Sequence, residues 1–141
     1  MQILLAKTDE QLLATYEVMS VLRDKHTPES YLAFLKAEAM PSGLQIAYLI
    51  NDGVIQCVVG FRIAASLAWG KFIYIDDLVT RTDTRSHGYG KMMLEWVEGI
   101  GKEQGCSELH LDSGVQRHGA HRFYLRERMD IVFYHFKKML G

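Results

Sequence analysis

Apolar positions change period along the chain, and each change marks an element. From Lys71 to Thr80, Phe72, Tyr74 and the Leu78-Val79 pair supply aromatic and β-branched strand formers. Met92, Met93, Trp96, Val97 and Ile100 then recur at the three- and four-residue spacing of one buried helix face. Between them lies Arg85-Ser86-His87-Gly88-Tyr89-Gly90, so Lys71 to Glu103 is predicted to run strand, turn, glycine loop, helix. Upstream, Gln2 to Ala6 is a short strand. A helix capped by Thr8 or Asp9 follows, with Leu12, Leu13, Tyr16, Met19 and Leu22 on its apolar face. The Arg23-Asp24-Lys25-His26 run breaks the pattern, and Thr27-Pro28-Glu29 restarts it as a cap with proline at the first helical position. That second helix carries Tyr31, Leu32, Phe34 and Leu35 and ends near Met40.

Asn51-Asp52-Gly53, between Leu44 to Ile50 and Val54 to Ala64, predicts an antiparallel hairpin, with Arg62 turned to solvent or to a partner. Ser107 to Leu111 is a parallel-type strand and Arg117 to Arg126 a short helix. Asp130 to Phe136 is expected as a last strand, with Ile131, Phe133 and His135 alternating against Val132, Tyr134 and Phe136. This order predicts an α/β fold, a mixed central sheet flanked by helices. The strands before Arg85 and before Asp112 should be parallel neighbours that diverge at their carboxyl ends.

Composition narrows the function classes. At 141 residues the chain fits one domain, 1–141, with its own core. A net charge of -1 carries no nucleic-acid footprint and leaves the charge of a small substrate open. Cys57 and Cys106 have no metal-ligand spacing and fit buried thiols in a reducing cytoplasm. The first residues turn acidic too soon for a signal peptide, and no apolar run reaches membrane-span length, so no membrane partner is expected. His118 and His121 share a helix side near Asp112, but no further ligand stands at helix spacing, and no metal is expected. His110 is either a proton relay or a structural histidine, and Phe133, Tyr134 and Phe136 are either core or a homodimer surface.

Two glycines at a helix entrance are either a structural turn or an anion cradle. The cradle reading rests on outward N–H groups, the positive helix end and the charges of Arg85 and Lys91. Neither a P-loop ending nor the third glycine of a dinucleotide loop is present. A second cassette, Asp112 to Met129, follows the next strand and should open on the same sheet edge, with Phe123 and Tyr124 on its helix.

Arg85-x-x-Gly88-x-Gly90 followed by Ala120-x-x-Phe123-Tyr124, in that order around a helix and a strand, resembles the GCN5-related N-acetyltransferase (GNAT) superfamily over essentially the whole chain. The resemblance implies an acetyl-CoA-dependent N-acetyltransferase. Arg85, Ser86, His87, Gly88, Tyr89, Gly90 and Lys91 would carry the pyrophosphate, and a bulged strand at Leu78, Val79 and Thr80 would accept the pantetheine chain. Ala120 and Phe123 would line the cofactor groove, and Tyr124 would protonate the departing thiolate. Ser86 stands where glycine is common, which costs little if the backbone there is right-handed. Arg117 replaces a common asparagine and would meet either a cofactor phosphate or a substrate carboxylate, while Arg128-Met129 replaces a frequent Gly-Phe.

Acetyl transfer by direct attack in a ternary complex needs a neutral amine, a polarised carbonyl and a proton for sulfur. The backbone N–H near Val79 is the expected oxyanion donor, an interaction worth about 3 kcal/mol. Asp76, Asp77 or Asp112 would order a water or bind the amine, and alternation along the strand sends Asp76 and Asp77 to opposite faces. The acceptor is a small-molecule or peptide amine. The competing readings are a non-catalytic acyl-CoA sensor and a structural protein with the same fold.

Overall fold

The computed structural model describes residues 1–141. They divide into two compact units, Met1–His110 and Leu111–Gly141. The first holds β1 (Gln2–Leu5), α1 (Asp9–Ala14), α2 (Tyr16–Leu22), α3 (Pro28–Phe34), β2 (Gln45–Asn51), β3 (Val54–Ser66), β4 (Gly70–Thr80) and α4 (Tyr89–Glu103). β5 (Glu108–Leu111) begins in the first and ends at the first residue of the second, to which α5 (His118–Arg126) belongs.

Local signals set the helix starts. Thr8 and Thr27 each accept from the backbone of the third helical residue, and the Gln11 and Ser30 side chains bond back, giving capping boxes on α1 and α3. The single helix expected after Thr8 is broken at Thr15, whose buried hydroxyl donates to Leu12 O at 2.6 Å and lies 2.7 Å from Tyr31 Oη. A π-helical turn, Leu35–Ala39, follows α3.

Strand order is β1-β2-β3-β4-β5, and the first four are antiparallel neighbours. The hairpin turns at Asp52 and Gly53, both at positive φ as a two-residue connection requires. As expected, β4 and β5 are neighbours joined through α4. Ser107 N–H donates to Lys71 O at 2.9 Å, so the two strands meet at their beginnings. With only four residues, β5 cannot reach the far end of the 11-residue β4. Leu78 to Thr80 therefore pair with β3 on one side and have no strand on the other.

Both sheet faces are covered. Leu12, Val18, Met19, Tyr31 and Leu35 pack with Ile46, Val58 and Val79 on one face. On the other, Trp96 of α4 meets Phe61 edge-on and Gly101 lies against Ile73. The expected strand at Asp130 to Phe136 does not form. Alternation makes a segment competent for a strand, but a ladder also needs a partner, and the sheet ends at β5.

Candidate active site

The site is organised by one extra residue in β4. Across the β3–β4 ladder Gly60 faces Asp77 while Phe61 faces Ile75, so Asp76 bulges out between them. A bulge reverses the phase of alternation downstream of it. Ile73 faces α4, whereas Val79 packs with the α1–α3 face. The expectation that Asp76 and Asp77 point to opposite faces is thereby corrected: both line one cleft of about 610 Å³.

The walls of this cleft come from α2, α3, the turn after α3 and the sheet. Met19, Leu22, Tyr31, Phe34, Leu35, Leu44 and Ile46 make it apolar, and Arg23, Lys25, Glu38, Arg62 and the two aspartates make it polar. Arg62 donates to Asp76 through Nε at 3.0 Å and Nη2 at 2.9 Å, a forked pair that fixes this carboxylate. Arg23 donates through Nε to Asp77 Oδ1 at 2.6 Å and through Nη2 to Asp76 O at 3.1 Å. Burial pushes the Asp77 carboxyl above the ordinary carboxylate range, against the opposing hydrogen bond and charge of Arg23. Asp77 also lies over Gly60, where an added Cβ would sit 2.9 Å from Oδ2.

Sequence reasoning named the aspartates but missed Gly60 and Arg23. Gly60 had a signal, because an isolated glycine inside a strand marks a bulge or a close approach. Arg23 had none, since its partner Asp77 is distant in sequence and its own neighbourhood marks only a helix break.

The glycine loop lies at the start of α4. Thr82–Thr84 form a 3₁₀ turn, and Gly88 is the left-handed N-cap (φ 82°). A Cβ at Gly88 would meet only Met92 Cε, at 4.0 Å, so the concave side is open. Tyr89, Gly90 and Lys91 begin a 15-residue helix with no acidic residue in its first turn. Their N–H groups, unpaired within a helix start, point outward beside the positive helix end. These donors, with Arg85 and Lys91, fit a pyrophosphate. Ser86 adopts φ 75°, so the right-handed backbone that would make serine inexpensive there is not present.

In the second unit, α5 carries Ala120, Phe123 and Tyr124 after Arg117, its N-cap residue. The Phe123 and Tyr124 rings meet at 5.3 Å. Arg128, at φ 67°, is left-handed, and Met129 N–H donates to Tyr124 O at 3.0 Å, closing the helix without glycine. Asp112 Oδ2 lies 3.3 Å from His135 Nδ1. His110, back in the first unit, is held by Glu108 at 2.7 Å and stacks on Trp69 at 3.6 Å.

A crossover at the glycine loop, a strand end open on one side and a cleft with paired carboxylates define an acyl-transfer fold. The chain belongs to the acetyltransferase (GNAT) family, whose model matches residues 8–129. It is 35% identical over 115 residues to YhdJ, an uncharacterized N-acetyltransferase of Bacillus subtilis (strain 168), covering 82% of this chain and 81% of that protein. To the aminoalkylphosphonate N-acetyltransferase of Salmonella typhimurium it is 33% identical over 124 residues, 87% of this chain and 80% of that one. The fold matches a crystal structure of ribosomal-protein-alanine N-acetyltransferase from Brucella melitensis with TM-score 0.83 at 13% identity, over 99% of this chain and all of that one.

Proposed function

We propose that the protein transfers an acetyl group from acetyl-CoA to a primary amine seated in the cleft beside Asp76 and Asp77, by direct attack and without an acyl-enzyme. The observation that carries this reading is the β4 bulge, which sets two carboxylates on one wall of an apolar-sided cleft. Acetyl-CoA, when bound, supplies the thioester.

Asp77 is the proposed base, acting directly or through one water. Its raised pKa makes it a better proton acceptor near neutrality than an ordinary aspartate. Asp76, clamped by Arg62, lies on the same wall and orients the ammonium form of the acceptor. Leu78 to Thr80 offer a free strand edge to an amide-bearing chain, with Val79 N–H as the donor for the developing oxyanion. The loop from Arg85 to Lys91 holds the pyrophosphate. On α5, Tyr124 is the proposed proton donor to sulfur, with Arg117, Ala120 and Phe123 as further cofactor contacts.

A screen of amines by thiol release tests the proposal. An aminoalkylphosphonate belongs in it because the Salmonella relative is named for that substrate and because Arg23 and Lys25 line the cleft. Asp77→Asn should reduce single-turnover transfer by about 10²-fold or more and remove the acid limb of its pH profile. Tyr124→Phe should slow the same step while keeping most acetyl-CoA affinity. Acetyl-CoA binding without turnover on any amine would replace the enzyme by a sensor, and no binding at all would leave a structural role.

A further inference from the structure

Two polar side chains are buried with the core, Thr15 and Gln56. Thr15 is used at the break between α1 and α2. Gln56, only 9% exposed, is aimed by a second bulge. Across the β2–β3 ladder Leu49 faces Cys57 while Ile50 faces Ile55, so Gln56 is the extra residue of β3. Ile55 and Val58 consequently share the face under α1 to α3 although they stand three positions apart.

The bulge brings Gln56 to the turn that precedes the glycine loop. Thr84 Oγ1 donates to Gln56 Oε1 at 2.7 Å, and Arg81 N–H donates to Gln56 O at 2.8 Å. One residue of β3 thus ties both ends of the 3₁₀ turn Thr82–Thr84. A second tie lies beyond the loop, where Asn51 Nδ2 donates to Tyr89 Oη at 3.2 Å. Between the ties, Arg85 to Gly88 are all exposed. No core packing fixes such residues, so the ties set where they stand. Burying an amide costs free energy unless it is bonded, and an apolar residue would serve β3 as well for stability alone. What the amide adds is an acceptor aimed at Thr84.

Resting on the pyrophosphate reading of that loop, we propose that Gln56 is a positioning residue of the cofactor site. Through Thr84 it holds Arg85 to Gly88 in the receiving conformation before acetyl-CoA arrives. A loop ordered in advance has less freedom to lose on binding, so the bond acts on affinity without Gln56 contacting the cofactor.

The test measures acetyl-CoA affinity by calorimetry on the full chain, with a thermal midpoint for each variant. Thr84→Val keeps the shape and removes the donor, and it should weaken binding by about fivefold, as loss of one hydrogen bond's worth of order predicts. Thr84→Ser keeps the hydroxyl and should bind as the wild type does. Gln56→Leu should match Thr84→Val, and the double variant should be no weaker than either, because all three lack the same bond. Should Gln56→Leu fail to fold, the two threonine variants decide. A lower midpoint with unchanged affinity in Thr84→Val would make the bond merely structural and overturn the proposal. So would a Thr84→Ser variant as weak as Thr84→Val, or a double variant weakened by the product of the single effects. Acetyl-pantetheine, which has the thioester and amides but no pyrophosphate, separates the two ways of failing. A wild type that binds acetyl-CoA no more tightly than acetyl-pantetheine, or not at all, overturns the reading of the loop and the proposal with it. A wild type that prefers acetyl-CoA, with affinity unmoved in the variants, overturns the role of Gln56 alone.

Discussion

Gly60 and Asp77 show how one absent side chain sets the geometry of the cleft wall. The space Gly60 leaves is taken by a carboxylate oxygen, with Ile46 and Leu44 methyl carbons each 3.4 Å from where a Cβ would be. Asp77 cannot swing away freely because Arg23 holds it at 2.6 Å. Gly60→Ala should therefore cost about 1–3 kcal/mol as overpacking and displace the carboxylate. In chemical denaturation and single-turnover transfer on the same sample, the rate should fall by more than the folded fraction does. A variant with full activity would remove Asp77 from its proposed role. Ser86 is the opposite case, a side chain where glycine fits better. Relief of its left-handed backbone is worth about 1–2 kcal/mol, and a more flexible unfolded chain returns about 0.5–1 of that. Ser86→Gly should then gain about 0.5–1 kcal/mol, seen as a thermal midpoint higher by a few degrees. A lower midpoint would mean that the serine hydroxyl supplies a bond that outweighs the strain.

At the scale of elements, α4 lies so close to β4 that Gly101 is needed in its last turn. A Cβ there would stand 2.9 Å from Ile73 Cγ2, a branched methyl with little freedom to move. Helix propensity favours Gly101→Ala by at most about 1 kcal/mol so near the helix end, while overpacking against a strand costs about 1–3. The overlap wins, so urea midpoints should report a net loss on the order of 1 kcal/mol. A gain would show that α4 can shift outward. Legibility in the sequence follows the same division between local and distant causes. The caps at Thr8 and Thr27, the Asn51-Asp52-Gly53 hairpin and the glycine loop depend on residues within a few positions of one another and were legible. The pairing of Asp76 and Asp77 on one wall was not. It depends on Gly60 meeting β4 out of phase, a fact of register rather than of pattern. The strand expected at Asp130 to Phe136 went wrong for a related reason. Alternation specifies which faces are apolar but says nothing about which edge the segment will find.

For the whole molecule, alkaline stability is the property most directly tied to a buried ionisable group. Burial pushes the Cys57 thiol up from 9.0 to about 11, only partly offset by the hydroxyl of Thr80, which donates to Sγ at 3.8 Å. Because the folded value lies above the unfolded one, this thiol's contribution to stability is fully present below pH 9 and is lost as pH rises through about 11. In that window the unfolded chain releases a proton that the folded chain keeps, so stability falls by about 1.4 kcal/mol per pH unit, or about 2–3 in all. Tyr31 is also raised, first by burial and against its hydrogen bond to Thr15, so it acts in the same direction above its ordinary 10.0. Cys57→Ala separates the two. It removes a fully buried sulfur and should be less stable at neutral pH by about 1 kcal/mol. Its stability should then decline less between pH 9 and 11, so the wild-type and variant curves converge and cross. Both tryptophans, Trp69 and Trp96, lie in the first unit with Cys57, so urea titrations followed by tryptophan fluorescence report on the right part of the chain. Parallel curves from pH 8 to 11 would show that the thiol reaches water in the folded state, and with it that the β3–β4 core beneath the proposed site opens more readily than its packing implies.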